Sequence, residues 1–180
     1  CVAVGFEAIK GAGGTTTGID GSVAVGNQAL KALTTGARNT AVGLSSADAI
    51  TTGNYNAALG GHSLGTATTA LRNTAIGYNA MADVKAAVAV DGCVAVGYGA
   101  IMGNSSNTTG INNTIAIGYE ALKVLTTGVG NTAVGAWSGN ATTSGGYNTS
   151  LGYKAMANSV TAASNVVIGY EAGKNIGIDG

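Results

Sequence analysis

The sequence predicts an all-β protein, a parallel β-solenoid of about ten stacked coils. Three observations carry that prediction. A short unit, aliphatic–small–aliphatic–Gly, recurs ten times along the 180 residues. Its spacing is nearly constant. The side chains are small throughout, with 31 Gly, no Pro, one Phe and only 9% charged residues. A unit of about 17 residues cannot bury its own apolar face, but stacked copies bury a continuous thin core. Small side chains suit such a core and would leave a wide two-layer core underfilled.

The units read VAVG at 2–5, VAVG at 23–26, TAVG at 40–43, AALG at 57–60 and TAIG at 74–77. They continue as VAVG at 94–97, IAIG at 115–118, TAVG at 132–135, TSLG at 149–152 and VVIG at 166–169. Their closing residues are Gly5, Gly26, Gly43, Gly60, Gly77, Gly97, Gly118, Gly135, Gly152 and Gly169, spaced 21, 17, 17, 17, 20, 21, 17, 17 and 17 apart. Residues 1–80 align without a gap on 93–172, with 41 identities in 80. The chain is therefore a tandem duplication, 1–92 and 93–180, within one solenoid array. Cys1 and Cys93 are one position copied. They fall five coils apart, about 24 Å at the strand spacing of a sheet, so no bridge between them is expected.

Each unit is justified column by column. The three residues before the glycine alternate with period 2 and are rich in β-branched types, which marks a short strand. The column directly before the glycine (Val4, Val25, Val42, Leu59, Ile76, Val96, Ile117, Val134, Leu151, Ile168) is expected to be buried in one line. The glycine permits a sharp bend. Three residues on stands Ala or Ser in every unit, and four residues on Ile, Leu or Met in seven. A polar turn follows, as in Leu33-Thr34-Thr35-Gly36 and Leu125-Thr126-Thr127-Gly128. The surplus residues of the longer units are expected at one corner, at 11–17 and 103–109. Asn39, Asn56, Asn73, Asn131, Asn148 and Asn165 share one column. They suit either a ladder of stacked amides or a simple turn preference.

Composition excludes several functions. Formal net charge is zero, and the basic residues are scattered singly, so no footprint for nucleic acid exists. No stretch approaches 18 uninterrupted apolar residues, so no membrane-inserting helix is expected. The chain does not open on a basic-then-apolar leader or on Met.

Catalytic residues, a metal set and a cofactor motif are not expected. The carboxylates are dispersed, and the three that share a column, Glu7, Glu120 and Glu171, sit coils apart, too far for a glycosidase pair. That column, two after the glycine, also holds His62, Trp137 and Lys154 and reads as a solvent-facing row. These three are the candidate surface contacts: one imidazole, the only Trp, and a cation beside them. The column directly after the glycine holds Phe6, Tyr78, Tyr98, Tyr119, Tyr153 and Tyr170. Such rings either stack on sugars or cover the small-residue core and pack between chains.

Asn39 to Gly43 followed by Ser46, and Asn73 to Gly77 followed by Ala80 and Met81, carry a resemblance. With Leu-Thr-Thr-Gly between copies, the pattern resembles the head repeats of trimeric autotransporter adhesins. It is still more similar to related repeats in bacteriophage tail fibres. The resemblance spans residues 1–172 and implies a left-handed parallel β-roll, a homotrimer, and a location outside the cell, on a virion tail fibre or a bacterial surface. It departs from the adhesin pattern in its longer units. The function it implies is a structural or adhesive shaft segment for host attachment, first of a phage tail fibre and second of an adhesin head. The partners would be two further copies of the chain and a host glycan or protein receptor. On this reading the chain is a piece of a longer fibre, since Gly177–Gly180 repeats the run Gly18–Gly21. Two other solenoids fit less well. An acyltransferase β-helix needs a hexapeptide period that 17 does not contain. An ice-binding solenoid needs a flat Thr-x-Thr array, whereas the Thr pairs here are adjacent and at turns.

Overall fold

The computed structural model describes residues 1–14, 16–84, 90–104 and 108–177. Every repeat unit contributes one three-residue strand: β1 (Val2–Val4), β2 (Val23–Val25), β3 (Thr40–Val42), β4 (Ala57–Leu59), β5 (Thr74–Ile76), β6 (Val94–Val96), β7 (Ile115–Ile117), β8 (Thr132–Val134), β9 (Thr149–Leu151) and β10 (Val166–Ile168). The ten strands form one sheet in chain order. All neighbours are parallel and in column register, Ala24 beside Ala41 and Ala41 beside Ala58. The architecture is the predicted β-solenoid. Among the described residues the one helical segment is a 3-10 turn at Ala12–Gly14.

The expected strand parity is reversed. The column before the glycine faces outward: Leu59 and Ile76 are each 39% exposed, and Ile168 is more so. The middle column points inward instead, with Ala24, Ala41, Ala58, Ala75, Ala95, Ala116 and Ala133 at 0%. Volume explains the inversion. The second segment of each coil already fills the interior with Leu30, Leu33, Ile50, Leu64, Met81, Ile101, Leu125 and Met156, all fully buried. Only a small side chain fits opposite them in most coils, so the strand turns Ala inward, with Ser150 and Val167 in the last two coils, and its larger aliphatics outward. Residues three after the glycine, including Ala29, Ser46, Ser63, Ala80 and Ser138, line the same interior.

The coil closes through unusual backbone. Among the described residues, twenty-three other than glycine have positive φ. They occupy three columns, two after the glycine, four after it and five before it, exemplified by His62 (55°), Leu64 (52°) and Tyr55 (61°). Each such residue costs on the order of 1–2 kcal/mol, offset where the side chain is buried, as at Leu30 and Met81. The closing glycines lie at a more extreme φ, +136° at Gly43, where a Cβ would meet the Gly60 carbonyl oxygen at 2.6 Å. Gly36, Gly53, Gly128 and Gly145 are required for a different reason. Their coils approach so closely that a Cβ would strike the carbonyl of the coil below.

The Asn column forms the amide ladder. Asn56 Nδ2 donates to Asn39 Oδ1 at 2.9 Å, and Asn73 Nδ2 to Asn56 Oδ1 at 3.1 Å. Asn148 and Asn165 continue a second run above Asn131. Each inward amide also satisfies a turn carbonyl, as Asn39 does that of Gly53. Between the runs stand Cys93 and Thr114. Cys93 N still donates to Asn73 Oδ1, but no side-chain amide carries the chain of bonds on.

The hydrogen bonds that flank 11–17 and 103–109 are equivalent, while residues 85–89 of the 20-residue unit lie outside the described residues. Gly11 and Thr17 donate to the carbonyls of Lys31 and Thr34. In the next coil the equivalent donors, Ala32 and Thr34, are two residues apart, so the surplus residues of coil one fall between these two hydrogen bonds. Gly103 and Thr109 repeat this against Lys123 and Thr126. Both cysteines are free, Cys93 buried with its thiol pushed up to about 11 by desolvation.

Candidate functional site

Two outward rows follow from the reversed parity. The first is an aliphatic strip, Val4, Val25, Val42, Leu59, Ile76, Ile117, Leu151 and Ile168, exposed on successive strands, with Val96 and Val134 half-exposed between them. The column three before the glycine flanks it with Val23, Thr40, Ala57, Thr74, Val94 and Ile115. No charged side chain interrupts these two strand columns. A contiguous apolar face of this extent is a mark of an interaction surface.

The second row is aromatic. Rings of His62, Tyr78, Tyr98, Tyr119, Trp137, Tyr153 and Tyr170 follow one another at centroid distances of 5.2–5.8 Å. Three junctions are near-parallel stacks, Tyr78–Tyr98, Tyr98–Tyr119 and Tyr153–Tyr170. The others are edge contacts through His62 and Trp137. The row is continuous because two columns share it. Where the column after the glycine has Gly61 or Ala136, the next residue, His62 or Trp137, supplies the ring.

This places the three candidate contacts on one face. His62 is joined to Trp137 through three tyrosines, and Lys154 Nζ lies 5.5 Å above Trp137 and 5.2 Å above Tyr153, within cation–π range. Their column is half-buried rather than freely solvated. Trp137 Nε1 donates to Glu120 Oε2 at 3.2 Å, and Lys123 bonds the other oxygen of that carboxylate, which raises the Lys123 pKa. The rings cover one another's faces, so the interior of the ladder offers edges and hydroxyls rather than a flat platform for a sugar. The compensation by His62 and Trp137 was missed in the sequence, where the two columns were read apart. The signal was present as an aromatic directly after each small residue that breaks the tyrosine column.

At the His62 end the ladder borders an open groove of about 470 Å³, lined by Asp48, His62, Gly65, Thr66, Tyr78, Asn79, Ala82 and Asp83. Thr66 bonds the Val84 carbonyl. Desolvation raises the Asp48 carboxyl above its ordinary range, against backbone hydrogen bonds and the charges of His62 and Lys31. Elsewhere Glu7, Asp91, Glu120 and Glu171 are tied to cations. Glu7 is brought down to about 2 by hydrogen bonds from Lys10 and Lys31. Arg72 is bonded to Asp91, lowering that carboxyl.

No group of three metal-ligating side chains gathers among the described residues. No helix among them is long and apolar enough to cross a membrane. The corner loops carry little side-chain chemistry where described. Thr108 bonds the Asn104 backbone, while Thr15 and residues 105–107 lie outside the described residues. Comparison with family models, curated proteins and solved structures returned no match.

Proposed function

We propose that this chain is a shaft segment of a homotrimeric extracellular fibre, most closely a phage tail fibre that attaches to a host. The observation that carries the reading is the aliphatic strip. An apolar face repeated on every coil, and free of charge, calls for a cover that repeats at the same interval. Further copies of the same chain supply that interval without mismatch. Three strips meeting on a common axis would bury the face that a single chain leaves in water, and closed rotational symmetry makes each contact equivalent. The amide ladder and the close-packed glycine turns suit a part whose work is length and stiffness.

Light scattering on the 180-residue chain at micromolar concentration tests this. The expected mass is that of three chains. A single-chain mass refutes the assembly. The companion expectation is little affinity for host glycans, since the ladder's rings cover one another. Saturable binding on a glycan array that disappears with Trp137→Ala would make the segment an adhesin instead. The groove at Asp48 and His62 favours this second reading, in which the segment contacts a host glycan or protein receptor directly, as an adhesin head would.

A further inference from the structure

We propose that the aromatic ladder is a site of oxidative cross-linking, in which stacked tyrosines on successive coils couple to dityrosine within one chain. The proposal concerns the ladder alone and holds whether the chain is single or trimeric.

Three tyrosine pairs have the geometry. Tyr78 and Tyr98 lie 5.8 Å apart with ring planes 15° from parallel. Tyr98 and Tyr119 lie 5.2 Å apart at 9°. Tyr153 and Tyr170 lie 5.4 Å apart at 10°. Coupling joins a carbon ortho to one hydroxyl with its counterpart on another ring. Near-parallel rings at these separations keep neighbouring phenols adjacent on successive coils, so two radicals formed there meet each other before any other ring. The rings are also reachable. Tyr78 is 50% exposed and Tyr119 45%.

The oxidant is a haem peroxidase with hydrogen peroxide. Each phenol of a pair gives up one electron and one proton, leaving two phenoxyl radicals. The radicals form one carbon–carbon bond between their Cε atoms. Each ring then regains aromaticity by moving the proton from its bonded Cε to its phenolic oxygen. The two electrons and two protons reduce one hydrogen peroxide to two waters. Each link thus removes two hydrogen atoms from the chain. Tyr98 has two ortho carbons and can be linked on both sides.

The fold contains its own control. Tyr55 and Tyr147 are more exposed than Tyr78, Tyr98, Tyr119 and Tyr153, yet neither has an aromatic neighbour among the described residues. Tyr55 lies against Arg38, which donates to its hydroxyl at 2.6 Å. Trp137 separates the two tyrosine runs through edge contacts. General oxidation of exposed tyrosines would mark Tyr55 and Tyr147. Coupling directed by the ladder would pass them by.

The test is to treat the dilute 180-residue chain with peroxidase and peroxide, then read dityrosine fluorescence, denatured chain size and linked peptides by mass spectrometry. The expected result is single-chain products with links at 78–98, 98–119 and 153–170, and none at Tyr55 or Tyr147. Tyr98→Phe keeps a ring in the stack, so the fold is retained. It should remove the first two links and leave 153–170. The same oxidation in denaturant should lose the pairing preference. Folded chain that yields no dityrosine, links that join separate chains only, or links that include Tyr55 and Tyr147 as often as the ladder would each overturn the proposal.

Discussion

The two halves of the duplication share a repeat register and differ most in the two columns after the closing glycine. Around the groove the first half has Asp48, His62, Gly65, Thr66, Asn79, Ala82 and Asp83. The equivalent positions 92 residues later are Asn140, Lys154, Ala157, Asn158, Glu171, Lys174 and Asn175. The second set is tied together. Lys174 pairs with Glu171 at 3.4 Å, Asn158 Nδ2 donates to Asn175 Oδ1 at 2.9 Å, and Lys154 covers Trp137 and Tyr153. The first set keeps small residues and two carboxylates around open space. Inward columns keep small or apolar types in most pairs, because each supports the coil above and below, and the outward strip before the glycine keeps four identities in five. The two columns after the glycine keep one identity in ten, Tyr78 with Tyr170, so a difference there locates surface chemistry that repeat analysis averages away.

Breaking a shared column should therefore injure both halves alike. Gly43→Ala and Gly135→Ala put a Cβ against the next coil's carbonyl at a φ that L-residues rarely adopt. We expect each to destabilise by roughly 3 kcal/mol or more, from backbone strain plus the clash, measured by urea unfolding. Leu30→Ala and Leu122→Ala, at matching interior positions, should each cost about 2–5 kcal/mol. Leu59→Ser and Leu151→Ser, on the outward strip, should leave single-chain stability within about 0.5 kcal/mol. They should instead lower the assembly's mass by light scattering. A large folding loss there would restore the buried assignment that the structure reverses.

Smaller effects sharpen the comparison. Asn56→Ala and Asn148→Ala each remove an amide between two ladder neighbours and should cost about 1–3 kcal/mol, again by unfolding. The smallest effect separates the halves. Glu7 is held at about 2 against an ordinary 4.5, while its counterpart is Gly99. A depressed carboxyl contributes stability that is present above 4.5 and lost as pH falls through 2. A carboxyl titration followed by NMR should show local loosening of coil one in that window. An ordinary Glu7 titration near 4.5 would remove the lysine clamp from the account.

The repeat period, the duplication, the strand positions, the insertions at 11–17 and 103–109 and the free cysteines were all legible in the sequence. Each depends on order along the chain. The sequence left the Asn column open between ladder and turn. The structure shows the ladder, because the same register stacks every amide. Parity was not legible from alternation alone, because Ala and Val are both apolar and either column could face in. Side-chain volume decides it, since Leu33, Leu64 and Met81 leave little room opposite them, and eight of the ten inward positions are Ala. The left-handed columns were also hidden. They hold His62, Leu64, Trp137 and even Ile101, types that do not announce positive φ. Gly99, Gly139 and Gly173, which fall in the same columns, were the available hint. Of the candidate contacts, the shared face was legible from the column. Their union through Tyr78, Tyr98 and Tyr119 required knowing that neighbouring columns interleave.

The gap in the amide ladder has a mechanical consequence. A stacked array yields where the coupling between neighbouring repeats is weakest. At Cys93 and Thr114 the ladder loses its amides, and the Thr114 hydroxyl is buried with no partner among the described residues. Pulled from its ends, the chain should therefore not peel coil by coil. It should part first near its middle and lengthen in two large steps, one for each half. The duplication that doubled the rod also left it a place to break.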